Sequence, residues 1–289
     1  MPNFGLLTFA TDYALQPAEL ARWAEDAGFE SLFYAEHTHI PTSRKSPFAG
    51  GRELPEYYKQ SYDPFVALAA AATATQRLKL ATGICLVTEH DPLTLAKTVA
   101  TLDQVSGGRV LLGIGAGWNA EEMADHGVAF KERWKVTRER VLAMRQLWVE
   151  EAAEYHGEFV DFESTWSWPK PVQAGGPPVL LGAASRWTPA RVVEYCDGWF
   201  PIGAPADLRP VAEAIRAEAS RVGRPLDELD FSVGTRGIVG GPPLPGREEV
   251  EELVDIGFGR LVVPFNPRAA EDQRKLFPEY EQFIQQYRR

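Results

Sequence analysis

Short apolar runs alternate with longer segments of helical periodicity along the whole chain, and this alternation limits the possible folds more than any other feature. The apolar runs predict strands at residues 4–8, 31–35, 78–84, 110–114, 179–181, 198–202, 231–235 and 260–263. Helical segments follow at about residues 17–28, 63–72, 92–105, 188–195, 207–222 and 247–256, with a long helical region after residue 114 and a last segment from residue 267. Eight strand–helix units without a composition break predict one α/β domain over residues 1–289, folded as a (β/α)8 barrel. A doubly wound sheet is the alternative.

Charge and cysteine content narrow the class of protein. Forty acidic and thirty basic side chains give a net charge of −10, which repels a polyanion, so nucleic-acid binding is not expected. Cys85 and Cys196 are far apart and lack metal-ligand spacing, which is typical of a reduced, cytoplasmic protein. The chain has neither a signal-peptide pattern nor a run of about 18 apolar residues, so no export and no membrane span are expected.

Two connections are too long to be simple turns. The first, residues 40–62, follows the second strand and is expected over the carboxyl-terminal mouth of a barrel. Its charged and aromatic side chains are Arg44, Lys45, Arg52, Lys59, Tyr57, Tyr58 and Tyr62. The second, residues 155–178, precedes the fifth strand and is therefore expected on the amino-terminal side unless it folds back.

The residues just past each strand are the candidates for chemistry, because barrel enzymes place their active sites on these loops. Glu36, His37 and His39 follow the second strand, and extended backbone would point both histidines the same way. Such a pair could bind metal, as in metal-dependent hydrolases. The other strand ends offer Gly182, Gly203 and Asn266 where further ligands would be needed, so no metal site is predicted. The other interpretation is a hydrogen bond within the loop.

Small residues follow the fourth and fifth strands. Gly115 and Gly117 could bring the backbone close to a flat or phosphorylated ligand, although a tight turn explains them too. The dinucleotide-binding pattern fails because Trp118 occupies its third glycine position. The turn Gly182-Ala183-Ala184 leads into a helix with Thr188 as the expected N-cap, which is compatible with either a capped turn or a phosphate site.

Taken in order along nearly the whole chain, several segments resemble the bacterial luciferase-like flavin and deazaflavin oxidoreductases, which are TIM barrels. They look most like the branch that uses coenzyme F420. The segments that carry the resemblance are residues 23–31, Glu36-His37, residues 80–84, residues 106–110, residues 115–118, residues 179–182 and residues 196–199.

The resemblance implies roles for individual residues. Glu36 and His37 would touch the cofactor ring, and His37 would donate a proton or anchor the ring, since imidazole titrates near neutral pH. A non-proline cis peptide at Gly83-Ile84 would support the ring. The phosphate-binding turn would be Gly182, Ala183 and Ala184. Gly115, Gly117 and Trp118 complete the set of residues expected at the cofactor.

One departure bears on the substrate. Sugar-phosphate dehydrogenases of this kind carry a glutamate at the position of Trp118, so a sugar phosphate is not the expected substrate. Glu121 and Glu122 could supply a carboxylate, but two solvated acids in the first turn of a helix are the favoured interpretation. The cations of residues 40–62 could cover the anionic tail of the cofactor, or could belong to a lid that contacts no anion.

The sequence therefore predicts an oxidoreductase that passes a hydride between F420 and a small, mostly apolar organic substrate. Trp118, Phe48 and the loop tyrosines are expected to line the substrate space. An FMN-dependent luciferase-like monooxygenase is the first alternative. The remaining alternatives are a metal-dependent hydrolase and a catalytically silent cofactor-binding protein. A homodimer is expected only by analogy with the family.

Overall fold

The computed structural model describes residues 1–48 and 51–287. Within them, eight parallel strands close into a barrel in the order β1, β2, β3, β4, β7, β8, β9, β10, and β10 pairs with β1. Their bounds are β1 Asn3–Thr8, β2 Ser31–Tyr34, β3 Lys79–Leu86, β4 Val110–Gly115, β7 Val179–Leu181, β8 Gly198–Trp199, β9 Asp230–Gly234 and β10 Arg260–Pro264. The predicted (β/α)8 barrel is confirmed, and the doubly wound sheet is wrong.

Helices surround the barrel. They are α1 Pro17–Ala27, α2 Pro64–Ala74, α3 Pro92–Ser106, α4 Ala120–Asp125, α5 Arg133–Val149, α6 Thr188–Tyr195, α7 Pro205–Val222, α8 Arg247–Ile256, α9 Ala270–Arg274 and α10 Phe277–Gln286. Local signals set several ends: Asp63 and Asp91 accept amide hydrogen bonds at the starts of α2 and α3, and Gly107 ends α3 with a φ of 70°. Ala49 and Gly50 in the first predicted excursion, and Arg288 and Arg289 at the chain end, lie outside the described residues.

The barrel interior is filled by apolar side chains. This inner cluster consists of Leu7, Phe33, Ala81, Leu111, Leu180, Phe200 and Val262, all at most 6% exposed. A second, larger cluster packs the outer face of the strands against the helices. Because the interior leaves no channel, a ligand has room only at the ends of the barrel.

Charged residues occupy the amino-terminal end of the barrel. Arg260, at the start of β10, pairs with Glu30 and Asp230 at 2.8 Å each, and its side chain is 5% exposed. Lys79 also contacts Glu30 at 2.8 Å. These cations outweigh the effect of burial and lower the pKa of Glu30 to about 2. The cluster links the starts of β10, β9 and β3 and stabilises the end of the barrel opposite the strand-end loops.

The first long connection lies over the carboxyl-terminal mouth, as expected. The amide of Tyr62 donates to the carbonyl of Ala10, and the amide of Ser46 donates to Glu121 on α4. A short 3₁₀ helix, Glu56–Tyr58, carries two of its tyrosines. The connection is therefore attached to both the β1 and the α4 sides of the mouth.

The second long connection contains an antiparallel hairpin that the sequence analysis did not predict, formed by β5 Ala153–His156 and β6 Asp161–Thr165. The hairpin turn contacts the first half of α5, where Glu139 accepts the amides of Phe159 and Val160. The hairpin thus folds back beside α5 toward the mouth, which is the alternative that the sequence left open to a place on the amino-terminal side. Only the later part returns there, where Gln173 bonds the carbonyl of Val110. Among the described residues, no helix is both long and apolar enough to cross a bilayer.

Candidate active site

A crevice opens at the carboxyl-terminal ends of the strands. Its cavity of about 320 Å³ is lined by eight of the residues predicted at the cofactor, together with others from β1, β3, α5 and the first connection. The predicted residues are Glu36, His37, Gly83, Ile84, Gly115, Gly117, Trp118 and Gly182. A second cavity of about 200 Å³ adjoins it through Gly83, Ile84, Gly182 and Ile202, and contains Ala183 and Ala184. The structure therefore brings all ten predicted residues to one crevice.

Several lining residues were not predicted from the sequence, among them two aromatic side chains. Phe9, Trp134 and Ile238 also face the crevice. Phe9 immediately follows β1, so the strand-end criterion would have found it had it been applied to the first strand. Trp134 lies on α5 and Ile238 in a 3₁₀ turn after β9, and no spacing pattern marks either.

Ile84 forms the floor of the crevice. The Gly83-Ile84 peptide bond is cis, as the resemblance implied, and the pairing of β3 with β4 shifts register between Thr82 and Cys85. Ile84 lies on the apolar cluster that fills the barrel and lines both cavities. The bulge thus presents an aliphatic platform to the crevice.

Gly115 and Gly182 make room for this platform. A Cβ added at Gly115 would lie 2.0 Å from Cδ1 of Ile84, and one at Gly182 would lie 2.7 Å from its Cγ2. Both distances are far shorter than a van der Waals contact. Glycine is therefore required at these positions mainly because a larger residue would collide with the Ile84 side chain. The sequence had predicted that these glycines let the backbone approach the ligand.

Glu36 is buried and fully engaged by the protein. One carboxylate oxygen accepts the amide of Leu86 at 2.6 Å, and the other lies 2.8 Å from Nε2 of His90. Burial lowers the pKa of His90, but the hydrogen bond and charge of Glu36 outweigh it and raise the pKa overall. Glu36 thus links the segment after β2 to Leu86 in β3 and to His90. Its direct contact with a cofactor ring stays a prediction.

The metal-binding alternative gains no support at the predicted histidines. Within the described residues, the cluster with three potential metal donors is Glu36, Cys85 and His90, which includes neither His37 nor His39. Glu36 accepts hydrogen bonds from its two neighbours there, and burial raises the pKa of the Cys85 thiol. A protonated thiol and an engaged carboxylate are poor ligands.

His37 is held by a carboxylate from α4. Its Nδ1 lies 2.8 Å from Oε2 of Glu122, and the amide of Thr38 donates to the other oxygen at 3.2 Å. Glu122 is fully buried and His37 is 9% exposed. Because Nδ1 is engaged, Nε2 is the ring nitrogen available to the crevice that His37 lines.

The interpretation of Glu121 and Glu122 as two solvated acids is wrong. Glu121 is half-buried and accepts hydrogen bonds from Ser46, whereas Glu122 lies entirely inside. The first turn of α4 packs against the segment after β2, which turns Glu122 toward His37. A usable signal was present: Asn119 precedes Glu122 by three residues, as in a capping box, and Asn119 does cap α4.

His39 behaves as the loop interpretation predicted. Its ring lies 2.9 Å from the hydroxyl of Thr38 and 3.0 Å from Asp125, and its side chain is 41% exposed. Both histidines contact α4, but through different carboxylates. The neighbouring His126 lies 2.8 Å from the same Thr38 hydroxyl.

Aromatic side chains form the outer wall of the crevice. The ring of Tyr58 lies 4.7 Å from Phe9, 5.1 Å from His37 and 5.1 Å from Phe48, measured between centroids. Trp118 lies 5.8 Å from both His37 and Phe48. Burial raises the pKa of Tyr58, so the wall is neutral at physiological pH. This wall favours an apolar or aromatic ligand.

The turn after β7 has free backbone donors. Among the described residues, the amides of Ala183 and Ala184 have no hydrogen-bond acceptor, while Nε1 of Trp199 holds the carbonyl of Ala183 at 2.7 Å. Thr188 is the first residue of α6 and not its N-cap, which is Trp187. The Thr188 hydroxyl instead accepts the amide of Ser185 at 3.0 Å, which stiffens the turn.

Comparison with known proteins agrees with this geometry. The sequence model of the family described as luciferase-like monooxygenase matches residues 11–287. An uncharacterized protein of Mycobacterium tuberculosis is 44% identical over 93% of this chain and 94% of its own. The F420-dependent glucose-6-phosphate dehydrogenase of Intrasporangium calvum is 28% identical, over 83% of this chain and 85% of its own.

Solved structures share the fold. An F420-dependent secondary alcohol dehydrogenase, solved with an F420-acetone adduct, has a TM-score of 0.76 at 18% identity, covering 98% of this chain and 99% of that one. A type II Baeyer–Villiger monooxygenase from Pseudomonas putida, solved with FMN, has a TM-score of 0.71 at 17% identity, covering 98% and 97%. One barrel thus serves proteins with either cofactor.

Proposed function

The chain belongs to the luciferase-like monooxygenase family, and on that premise we propose that it is an F420-dependent oxidoreductase. It would transfer a hydride between the deazaflavin and a small, mostly apolar organic substrate. The observation that carries the proposal is the Ile84 platform, which Gly115 and Gly182 accommodate, beside the buried His37–Glu122 pair. When bound, F420 supplies the ring carbon that takes or gives the hydride.

The crevice has the chemistry that a deazaflavin requires. A flat, apolar ring face matches the aliphatic platform of Ile84. The adjoining cavity ends at the turn of Ala183 and Ala184, whose free amides are suited to an anionic phosphate. Ile84 would hold the ring, and the amides of Ala183 and Ala184 would hold the phosphate.

His37 would act on the proton that accompanies the hydride. Glu122 would orient the imidazole through Nδ1 and so leave Nε2 free to take a proton from the substrate. In the opposite direction Nε2 would return that proton. The aromatic wall would keep water from this transfer and would orient the substrate.

The substrate class follows from the wall. Trp118, Phe48 and Tyr58 present neutral, largely apolar surfaces. By the resemblance, Trp118 occupies the position at which the sugar-phosphate enzymes carry a glutamate, which argues against a sugar phosphate as the substrate. An alcohol or carbonyl compound with an apolar body fits this wall best.

An FMN-dependent monooxygenase is the second candidate. It is favoured by the likeness to the FMNH2-dependent dimethylsulfone monooxygenase of Pseudomonas putida, which is 29% identical over 53% of this chain. Several matched relatives, however, are described as F420-dependent, including one that covers 83% of this chain. That coverage is our reason for preferring F420.

Equilibrium binding of F420 and of FMN, followed by fluorescence in matched buffers, tests the proposal. We expect F420 to bind more tightly than FMN, and F420 binding to be lost in Ile84→Asp, which puts a charge on the platform. Asp125→Asn, an exposed change on α4, serves as the control. Tight binding of FMN alone would establish the second candidate. Binding of neither cofactor would overturn both.

A further inference from the structure

A third cavity lies behind the catalytic histidine. It measures about 430 Å³ and is bounded by Glu89, His90 and His126 on one side and by Arg140 and the β5–β6 hairpin on the other. Among the described residues, it shares no lining residue with the crevice. The hairpin that folds back beside α5 forms the outer wall of this cavity. Residues far apart in the sequence therefore enclose it.

A continuous set of polar contacts joins the two cavities. Glu122, the partner of His37, lies close enough to Glu89 for its charge to raise the pKa of Glu89. Thr38 bridges the two acids, since its amide bonds Glu122 at 3.2 Å and its hydroxyl lies 3.2 Å from Oε2 of Glu89. The same hydroxyl lies 2.8 Å from Nε2 of His126, whose side chain is 28% exposed.

Burial makes a second charge beside Glu122 unfavourable. Glu89 is 8% exposed and Glu122 is fully buried, so their charges would meet with little water between them. Burial, followed by the charges of Glu122 and Glu36, raises the pKa of Glu89 to about 9. The other charged groups around Glu89 are His90, His126 and Arg140, and none of the three cancels this effect. Burial and the neighbouring His39 lower the pKa of His126, which keeps its ring neutral and able to accept a proton.

We propose that Glu122, Glu89, Thr38 and His126 form a proton relay between His37 and water in the side cavity. The relay rests on the proposed function, in which Nε2 of His37 faces the substrate. It lets a proton enter or leave while cofactor and substrate fill the crevice. Glu89 is the residue that this relay adds to the proposed function. It contacts neither the cofactor nor the substrate and acts through Glu122.

The proton balance closes at each turnover. When Nε2 of His37 takes a proton, Nδ1 gives one to Oε2 of Glu122. Glu89 then gives its own proton to the Thr38 hydroxyl, which passes one to Nε2 of His126, and His126 releases one to water. The proton left on Glu122 passes to Glu89 beside it, which restores both acids. His37 then carries its proton on Nε2 alone. After the product leaves, Nε2 releases that proton to water in the open crevice, and the same transfers in reverse return one to Nδ1 and reset His126. Reduction of a substrate runs the same transfers backwards, and no electron moves along the relay.

The test uses the cofactor-free protein, so it is independent of whether F420 or FMN binds. In Glu89→Gln the amide keeps a neutral hydrogen-bonding group beside Glu122 but cannot release a proton. By nitrogen-15 NMR, we expect exchange of the His37 Nδ1 proton with water to slow by about tenfold or more while its chemical shift is retained. Infrared spectra should show a protonated carboxyl at neutral pH in the wild type and in Asp125→Asn, but not in Glu89→Gln.

His126→Gln provides a second variant, whose folding is safer because His126 is partly exposed. Exchange at His37 should slow there as well, and added imidazole should restore it through the side cavity. Wild-type exchange rates in both variants would overturn the relay, as would the absence of a protonated carboxyl from the wild-type spectrum. Failure of cofactor binding in the fluorescence experiment would overturn only the proposed function.

Discussion

Nδ1 of His37 lies 2.8 Å from Oε2 of Glu122, a fully buried carboxylate 85 residues further along the chain. A buried carboxylate at this distance sets the tautomer and the orientation of the ring. The pair therefore links the segment after β2 to α4 and makes His37 the best-supported acid–base group of the crevice.

Replacing Glu122 tests the pair. Glu122→Gln keeps the shape but offers an amide group that no longer fixes the proton on Nδ1 of His37, so we expect kcat for hydride transfer to fall by about 10²-fold with little change in cofactor affinity. Steady-state kinetics with F420, together with the dissociation constant from fluorescence, measure both quantities. Asp125→Asn, on the exposed side of the same helix, is the control. An unchanged kcat in Glu122→Gln would show that His37 does not depend on this carboxylate.

The close approach of Gly115 to Ile84 predicts that a substitution at Ile84 restores the stability lost by a substitution at Gly115. Gly115→Ala places a Cβ 2.0 Å from Cδ1 of Ile84 and should weaken both cofactor binding and folding, the latter by about 1–3 kcal/mol. Ile84→Val removes Cδ1, so the double variant should regain most of that stability. Urea unfolding measures it. Gly259→Ala, where an added Cβ meets nothing within 4 Å, is the control. A double variant no more stable than Gly115→Ala would contradict this account.

Arg260 should stabilise the closed end of the barrel. Arg260→Gln leaves Glu30 and Asp230 without their buried cation, at an expected cost of about 3–5 kcal/mol. Arg274→Gln breaks a half-exposed pair with Glu19 and should cost less than about 1 kcal/mol. Urea unfolding compares the two variants, and equal losses would argue against a special role for the cluster.

The same cluster predicts a pH dependence. The folded-state pKa of Glu30 is lowered from 4.5 to about 2. A lowered acid pKa contributes stability above the unfolded value, so this contribution is present above pH 4.5 and is lost as the pH falls toward about 2. In Glu30→Gln the free energy of unfolding should be lower at neutral pH and should fall less steeply across that window. Parallel slopes for the two proteins would refute the assignment.

The cations of the first connection should affect cofactor affinity. Arg44 lies 5.9 Å from the ring of Trp118, at the edge of the crevice. The double variant Arg44→Gln/Lys45→Gln should weaken F420 binding at low salt, and the difference from wild type should shrink as salt screens the charges. Lys59→Gln is the matched control, because Lys59 is paired with Glu56 at 2.8 Å. Unchanged F420 binding in the double variant would mean that the lid contacts no anion.

Several features of the fold were predictable because they depend on local pattern. The apolar runs and helical periods identified the eight barrel strands, and the strand-end criterion selected Glu36, His37, Gly115, Trp118 and Gly182. The cis peptide at Gly83-Ile84 came from the resemblance, since no spacing rule reveals it. The sequence pattern did not predict the hairpin in the second connection. Its strands β5 and β6 are short and largely exposed and so lack a clear apolar alternation.

The sequence by itself determined the barrel, its mouth and the family of the chain, because hydrophobic periodicity and short motifs are written in neighbouring residues. Only the tertiary structure decided that Glu122 points inward to His37, that Glu89 meets it, and that Gly115 and Gly182 make room for Ile84. These relationships join residues tens of positions apart. They depend on how α4 docks against the segment after β2 and on how the bulge in β3 turns, and no local pattern encodes either angle.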